Sequence, residues 1–169
     1  MELSRRHVLA AMAAVPVVGA LGATGVAWTW WDRPAGQGLR ALSDDEYSIV
    51  QALAEAWMPR GGEPELSGAD ADLGAFFDDL IGGMESNSAT ELKMLLHILD
   101  NLARPTHVRP FRSLPLAART TLVQEWMDSP VELVRLAITA VIVLLSMGWT
   151  THPDVVPFFS PYFRCGYGR

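Results

Sequence analysis

Cysteine is nearly absent from the 169 residues: Cys165 is the single thiol, so no disulfide can close within the chain. Stability must then come from an apolar core, and with 50% apolar residues there is enough material for one domain of roughly 130 residues plus an N-terminal extension. Basic residues are also short, with 13 Lys and Arg against 19 Asp and Glu, a net charge of -6, and no cluster beyond RPFR at 109–112. Phosphate binding requires a concentrated basic face, so a nucleic-acid partner is excluded. The four histidines, His7, His97, His107 and His152, never stand four apart, and HExxH and Glu-x-x-His are missing, which removes the common metal-ligand spacings. No Cys-x-x-Cys-His means no covalent haem attachment, and there is no GxGxxG, P-loop or GxSxG element. Most acids fall at helix starts (Asp44, Asp45, Glu46, Asp70, Asp72, Glu91, Glu132), where they stabilise the positive helix end. Asp78 and Asp79 are adjacent, so on a helix their side chains diverge by about 100° and form no paired-carboxylate site. The residues therefore nominate no catalytic group, no cofactor ligand and no metal ligand within this chain.

What is present begins with MELSRRHVLAAMAAVPVVGALG. Val8 to Trp31 are 24 residues without a charge, preceded by Arg5 and Arg6 and closed by AWTWW. As a helix they would cover about 36 Å, enough for a bilayer core. Pro16, Gly19, Gly22 and Gly25 suit a soluble core helix poorly. The order of basic residues, apolar run and aromatic end is that of a segment inserted with its N-terminus in the cytoplasm. SRRHVL resembles the twin-arginine export motif through Ser4, Arg5, Arg6, Val8 and Leu9, with Ala10 in place of the usual lysine. That route carries folded proteins, whereas the Sec route also accepts a basic start. Residues 1–31 thus read as a twin-arginine-type signal or a retained signal anchor, because Ala20/Gly22 and Gly25/Ala27 are weak cleavage sites. Either reading puts the body outside the cytoplasm, in a periplasmic or other extracytoplasmic space, with inner-membrane anchoring if the segment stays.

Residues 32–42 read as a linker, 43–150 as a helical domain and 151–169 as an aromatic and proline-rich tail. Ser43 and Glu46 form a capping box, and Tyr47, Val50, Leu53, Ala54 and Trp57 follow at helical spacing up to Met58-Pro59. A second helix is predicted over Asp70 to Ile81, a third over about Ser88 to Ala103, and a fourth over about Leu116 to Met127. Ser129-Pro130-x-Glu132 predicts a capped start for a fifth, whose interior LAITAVIVLLSMGW is apolar almost all round. Its length, about 14 residues from Arg135 to Thr150, is short for a membrane span, so it reads as the buried central helix, with a second membrane span as the alternative. Trp57, Trp126 and Trp149 fall near helix C-termini, as core anchors or as a shared aromatic patch facing a partner. From His152 on, the tail carries three prolines and five aromatics in 18 residues and packs back on the domain or docks on a partner. The fold class is all-α, a bundle of about five helices preceded by the N-terminal apolar helix.

Taken in order, LSDDEYSIVQALAEAWMPRGG, ADLGAFFDDLI, a leucine-rich helix, FRSLPLAARTTLVQEWMDSP and a long apolar helix ending near HPDVV form a pattern. With the twin-arginine-like start, it resembles the small (gamma) subunit family of membrane-bound gluconate 2-dehydrogenase and related flavin-dependent sugar and alcohol dehydrogenases. The most telling phrase is Phe111, Leu114, Arg119, Leu122 or Val123, and Trp126. The tail departs from the family in its aromatic content and in lacking a Gly-Tyr-Pro ending. The resemblance implies a non-catalytic accessory subunit, without a cofactor of its own, that escorts export, maturation or assembly of a partner. It further implies that the large subunit carries FAD, that a multihaem c-type cytochrome passes electrons onward, and that the twin-arginine translocase moves the pair.

Overall fold

The computed structural model describes residues 33–159, and every regular element among them is helical. In chain order these are α1 (Asp44–Trp57), α2 (Leu73–Gly82), α3 (Ser86–Leu102), the single turn α4 (Arg104–His107), a 3₁₀ turn (Phe111–Ser113), α5 (Leu116–Met127), α6 (Glu132–Thr150) and the single turn α7 (Val156–Phe159). The apolar segment 1–31, with Ser4, Arg5, Arg6, Val8 and Leu9, lies outside the described residues, as does the tail beyond residue 159.

The centre of the bundle is α1, which packs against α2, α3, α5, α6 and the 3₁₀ turn. Its inner residues explain this: Ile49, Val50 and Leu53 are fully or almost fully buried, and Ala52, Ala54 and Ala56 let neighbouring helices approach closely. Around them gather Phe77 and Ile81 of α2, Leu96 and Leu99 of α3, Leu122 and Val123 of α5, and Ile138, Val141 and Leu145 of α6. Two glycines admit aromatic rings at the contacts. A Cβ on Gly74 would stand 2.5 Å from the Tyr47 ring, and one on Gly148 would stand 2.5 Å from the Phe76 ring.

The capping box forms as its local sequence requires: Ser43 Oγ accepts from Glu46 N, and Glu46 Oε2 accepts from Ser43 N at 2.7 Å. The expected start of the last long helix is corrected. Ser129 does not cap it; its hydroxyl accepts from Val131 N at 3.2 Å in a local turn, and α6 begins at Glu132, beyond Pro130. The reading of that helix as the buried centre is corrected too. Ile138, Val141, Ile142, Leu145 and Gly148 face inward, while Leu133, Leu136, Val143 and Met147 face out. A sequence apolar on every side leaves the choice of inward face to shape, and Gly148, with its close approach to Phe76, settles which face packs.

Candidate functional site

The densest polar cluster sits where the chain enters the bundle. Residues 40–42, the last of the linker, pass over the middle of α2, where Asp78 grips their backbone. Its Oδ2 accepts from Arg40 N at 2.7 Å, and its Oδ1 accepts from Ala41 N at 2.8 Å and Leu42 N at 2.7 Å. On the other side Lys93 of α3 donates its ammonium to the Ala41 carbonyl and stands 3.4 Å from Glu46 Oε2. Glu46 is fully buried and holds the Ser43 backbone and hydroxyl through Oε2, with His97 Nε2 3.4 Å from Oε1. Leu42, between these polar groups, is itself fully buried. A second set lies at the 3₁₀ turn, where Asp100 Oδ1 accepts from Arg112 N at 3.0 Å and the Arg112 guanidinium reaches Asp45 at 3.1 Å.

The electrostatics follow from these contacts. Burial pushes the Asp78 carboxyl up, but the three N–H groups of Leu42, Arg40 and Ala41 outweigh it and hold the group below the ordinary aspartate range. For Glu46, burial again opposes ionisation, and His97, the Ser43 amide and hydroxyl, and Lys93 together outweigh it, so its pKa is lowered. Asp100 goes the other way: with fewer donors, burial dominates and raises its pKa. Two ionised carboxylates therefore hold residues 40–43 in place, Asp78 on the backbone of 40–42 and Glu46 on Ser43.

A second feature is a cavity of about 350 Å³ at the far end of α1, lined by Trp57, Met58, Pro59, Pro64, Leu66 and Trp149 with the loop 60–63. Both indoles are fixed: Trp57 Nε1 donates to Ser146 Oγ at 3.2 Å, and Trp149 Nε1 donates to the Leu66 carbonyl at 3.0 Å. The Arg60 guanidinium on its rim is held by Asp70 in a two-pronged pair. The chain leaves α7 against the same wall, with the Phe159 ring edge-on to Trp149 at 6.0 Å. The three body tryptophans thus divide. Trp126 is a core residue whose ring lies tilted against Phe111 at 5.2 Å, and Trp57 and Trp149 share the cavity.

The phrase that carries the family resemblance lies inside the body rather than on its surface. Phe111, Leu114, Leu122, Val123 and Trp126 are core, and the buried Arg119 joins α5 to α1 through the Ala52 carbonyl (2.9 Å) and Glu55 (2.6 Å). Those positions hold the bundle together. His152 lies in the loop after α6, whereas His107, expected in a loop, is the last residue of the single turn α4, whose first turn accepts Pro105; no group of three or more His, Cys, Asp or Glu suited to a metal occurs among the described residues. Sequence reasoning missed the grip of Asp78 on residues 40–42. The signal was there in FFDDL, since Asp78 lies between the buried Phe77 and Ile81, inside the apolar face of α2, while Asp79 lies on the exposed side. No family model, curated protein or solved structure matches the chain.

Proposed function

We propose that this chain is a non-catalytic accessory subunit that escorts export, maturation or assembly of an FAD-dependent gluconate, sugar or alcohol dehydrogenase. In this reading the partner is the flavin-bearing large subunit, with a c-type cytochrome as a further member, and FAD and haem reside in those chains. The twin-arginine translocase recognises Ser4, Arg5, Arg6, Val8 and Leu9, and the complex works in the periplasm, tethered to the inner membrane where the segment is retained. The observation that carries the proposal is the pairing of Arg5-Arg6 with 24 uncharged residues directly ahead of a compact helical body.

Replacing Arg5 and Arg6 by lysine tests the route. The escort reading expects both this chain and its flavoprotein to remain in the cytoplasm. Unchanged export of both points to Sec instead and removes the folded-cargo argument. A second reading, an exported membrane-anchored binding module or scaffold without a redox partner, is favoured by the tryptophan-lined cavity. Affinity capture of the tagged chain followed by mass spectrometry separates the two: a flavoprotein supports the escort, and its absence supports the scaffold.

A further inference from the structure

The cavity at the C-terminal end of α1 is suited to apolar rings rather than to a polar ligand. Trp57 and Trp149 line it and are only half-buried. Their N–H groups are engaged by Ser146 and Leu66, and the Arg60 guanidinium on the rim is engaged by Asp70. Pro59 and Pro64, also in the lining, have no N–H to give. With its side-chain donors held within the chain, the cavity lacks the converging polar groups that orient a polar ligand. The described residues end on its wall. The Phe158 ring stands edge-on to Phe159 at 5.2 Å, and Phe159 stands edge-on to Trp149 at 6.0 Å. Ten residues follow, SPYFRCGYGR, with aromatics at 162, 163 and 167.

We infer that this cavity is the seat of the chain's own tail, with Pro161, Tyr162 and Phe163 as its occupants. Reach allows it. An extended residue spans about 3.3 Å, so Tyr162 and Phe163 come within about 10–13 Å of Phe159 along the chain. That is enough to enter a cavity of about 350 Å³ whose wall Phe159 already touches. Chemistry selects it too. Grooves walled by aromatic side chains take proline-bearing extended segments, because the proline backbone is preset and loses little freedom on docking. Burying Tyr162 and Phe163 also removes apolar rings from water. Charge agrees as well. Residues 160–169 bring Arg164 and Arg169 and no acid, while the loop at the rim exposes Glu63 and Glu65. The rim's own cation, Arg60, is paired with Asp70 and leaves those two acids to an arriving arginine. Filled in this way, the cavity admits an outside partner to Trp57 and Trp149 only when residues 161–163 are displaced. The inference stands independently of the escort role.

Disulfide trapping in the full chain tests it. Cys165 supplies one thiol from within the tail. Gly62→Cys supplies the other on the cavity wall, where a Cβ meets nothing nearer than the Pro64 carbonyl at 3.9 Å. Leu133→Cys is the comparison, at a position 75% exposed. It lies sixteen residues before Trp149 on α6, roughly 24 Å along the helix. After mild oxidation, the intrachain bond between 62 and 165 is expected to be at least about tenfold more abundant than that between 133 and 165, because docking raises the local thiol concentration. It is expected to vanish when Tyr162→Ser and Phe163→Ser are added. Equal trapping at both positions, no trapping at 62, or a bond that survives the two serines overturns the inference. So does a bond that forms only between differently tagged copies, which assigns the cavity to the tail of a second copy. Hydrogen exchange gives a second reading without a new cysteine. Residues 57–66 are expected to exchange at least about threefold faster in the Tyr162→Ser/Phe163→Ser chain, with α3 unchanged, and equal rates overturn the inference.

Discussion

Asp78 is the residue on which the placement of residues 40–42 most depends, because its carboxylate accepts from three consecutive backbone N–H groups. Asp78→Asn keeps one oxygen but turns an amide toward the Arg40 N–H, leaving a donor facing a donor. The expected cost is about 1–3 kcal/mol, read as a lower midpoint in urea. Asp100→Asn is the contrast. Burial already raises that carboxyl, and the asparagine oxygen still accepts from Arg112 N, so its expected cost at pH 7 is within about 1 kcal/mol. The same logic sets the acid limb of stability. Asp78 and Glu46 have folded pKa values below their unfolded ones, so the unfolded chain takes up protons first. Their contribution is complete above the ordinary carboxylate range and is lost as pH falls through their lowered values. Urea midpoints measured from pH 7 down to pH 2 are expected to fall in that window, with a shallower fall in Asp78→Asn. Val108, with φ at 62° and a side chain 83% exposed, is a β-branched residue in the left-handed region. Val108→Gly relieves that strain and is expected to raise stability by up to about 1 kcal/mol, seen as a higher melting temperature.

At the scale of elements, the close contact of α6 with α2 turns on Gly148. Gly148→Ala sets a methyl group 2.5 Å from the Phe76 ring, and the resulting shift of helix or ring is expected to cost about 1–3 kcal/mol in thermal or denaturant unfolding. A larger change on the outer face, Ala140→Leu, is expected to leave unfolding within about 0.5 kcal/mol, because Ala140 is exposed. Much of this architecture was legible beforehand where the governing interaction is local. Ser43 and Glu46 are three residues apart, so their capping box reads directly from SDDE, and the leucine spacing of α3 marks its buried side. What spacing alone does not reveal depends on distant partners. Asp78 meets backbone 36 to 38 residues away, Lys93 reaches a carbonyl 52 residues away, and Arg119 ties two helices across 67 residues. The role of α6 was misread for a different reason. Periodicity identifies a buried face only when the other face is polar, and in LAITAVIVLLSMGW it is not. Its length and apolar composition alone would also permit a membrane crossing, but its inner face is spent on α1, α2, α3 and α5.

For the molecule as a whole, the proposed escort role takes Arg5-Arg6 and the uncharged run as an address, and the body it precedes holds residues 40–42 through Asp78 and Lys93 and carries a tryptophan-lined cavity. The stretch from Phe111 to Trp126 contributes core residues to that body. The escort role itself is tested most directly by deleting this chain from its source cells and measuring FAD-dependent sugar or alcohol dehydrogenase activity in the extracytoplasmic fraction. The account predicts that this activity disappears and that the flavoprotein is retained in the cytoplasm or degraded, with recovery on re-expression of the intact chain but not of the Arg5→Lys/Arg6→Lys variant. Undiminished extracytoplasmic activity in the deletion would contradict it.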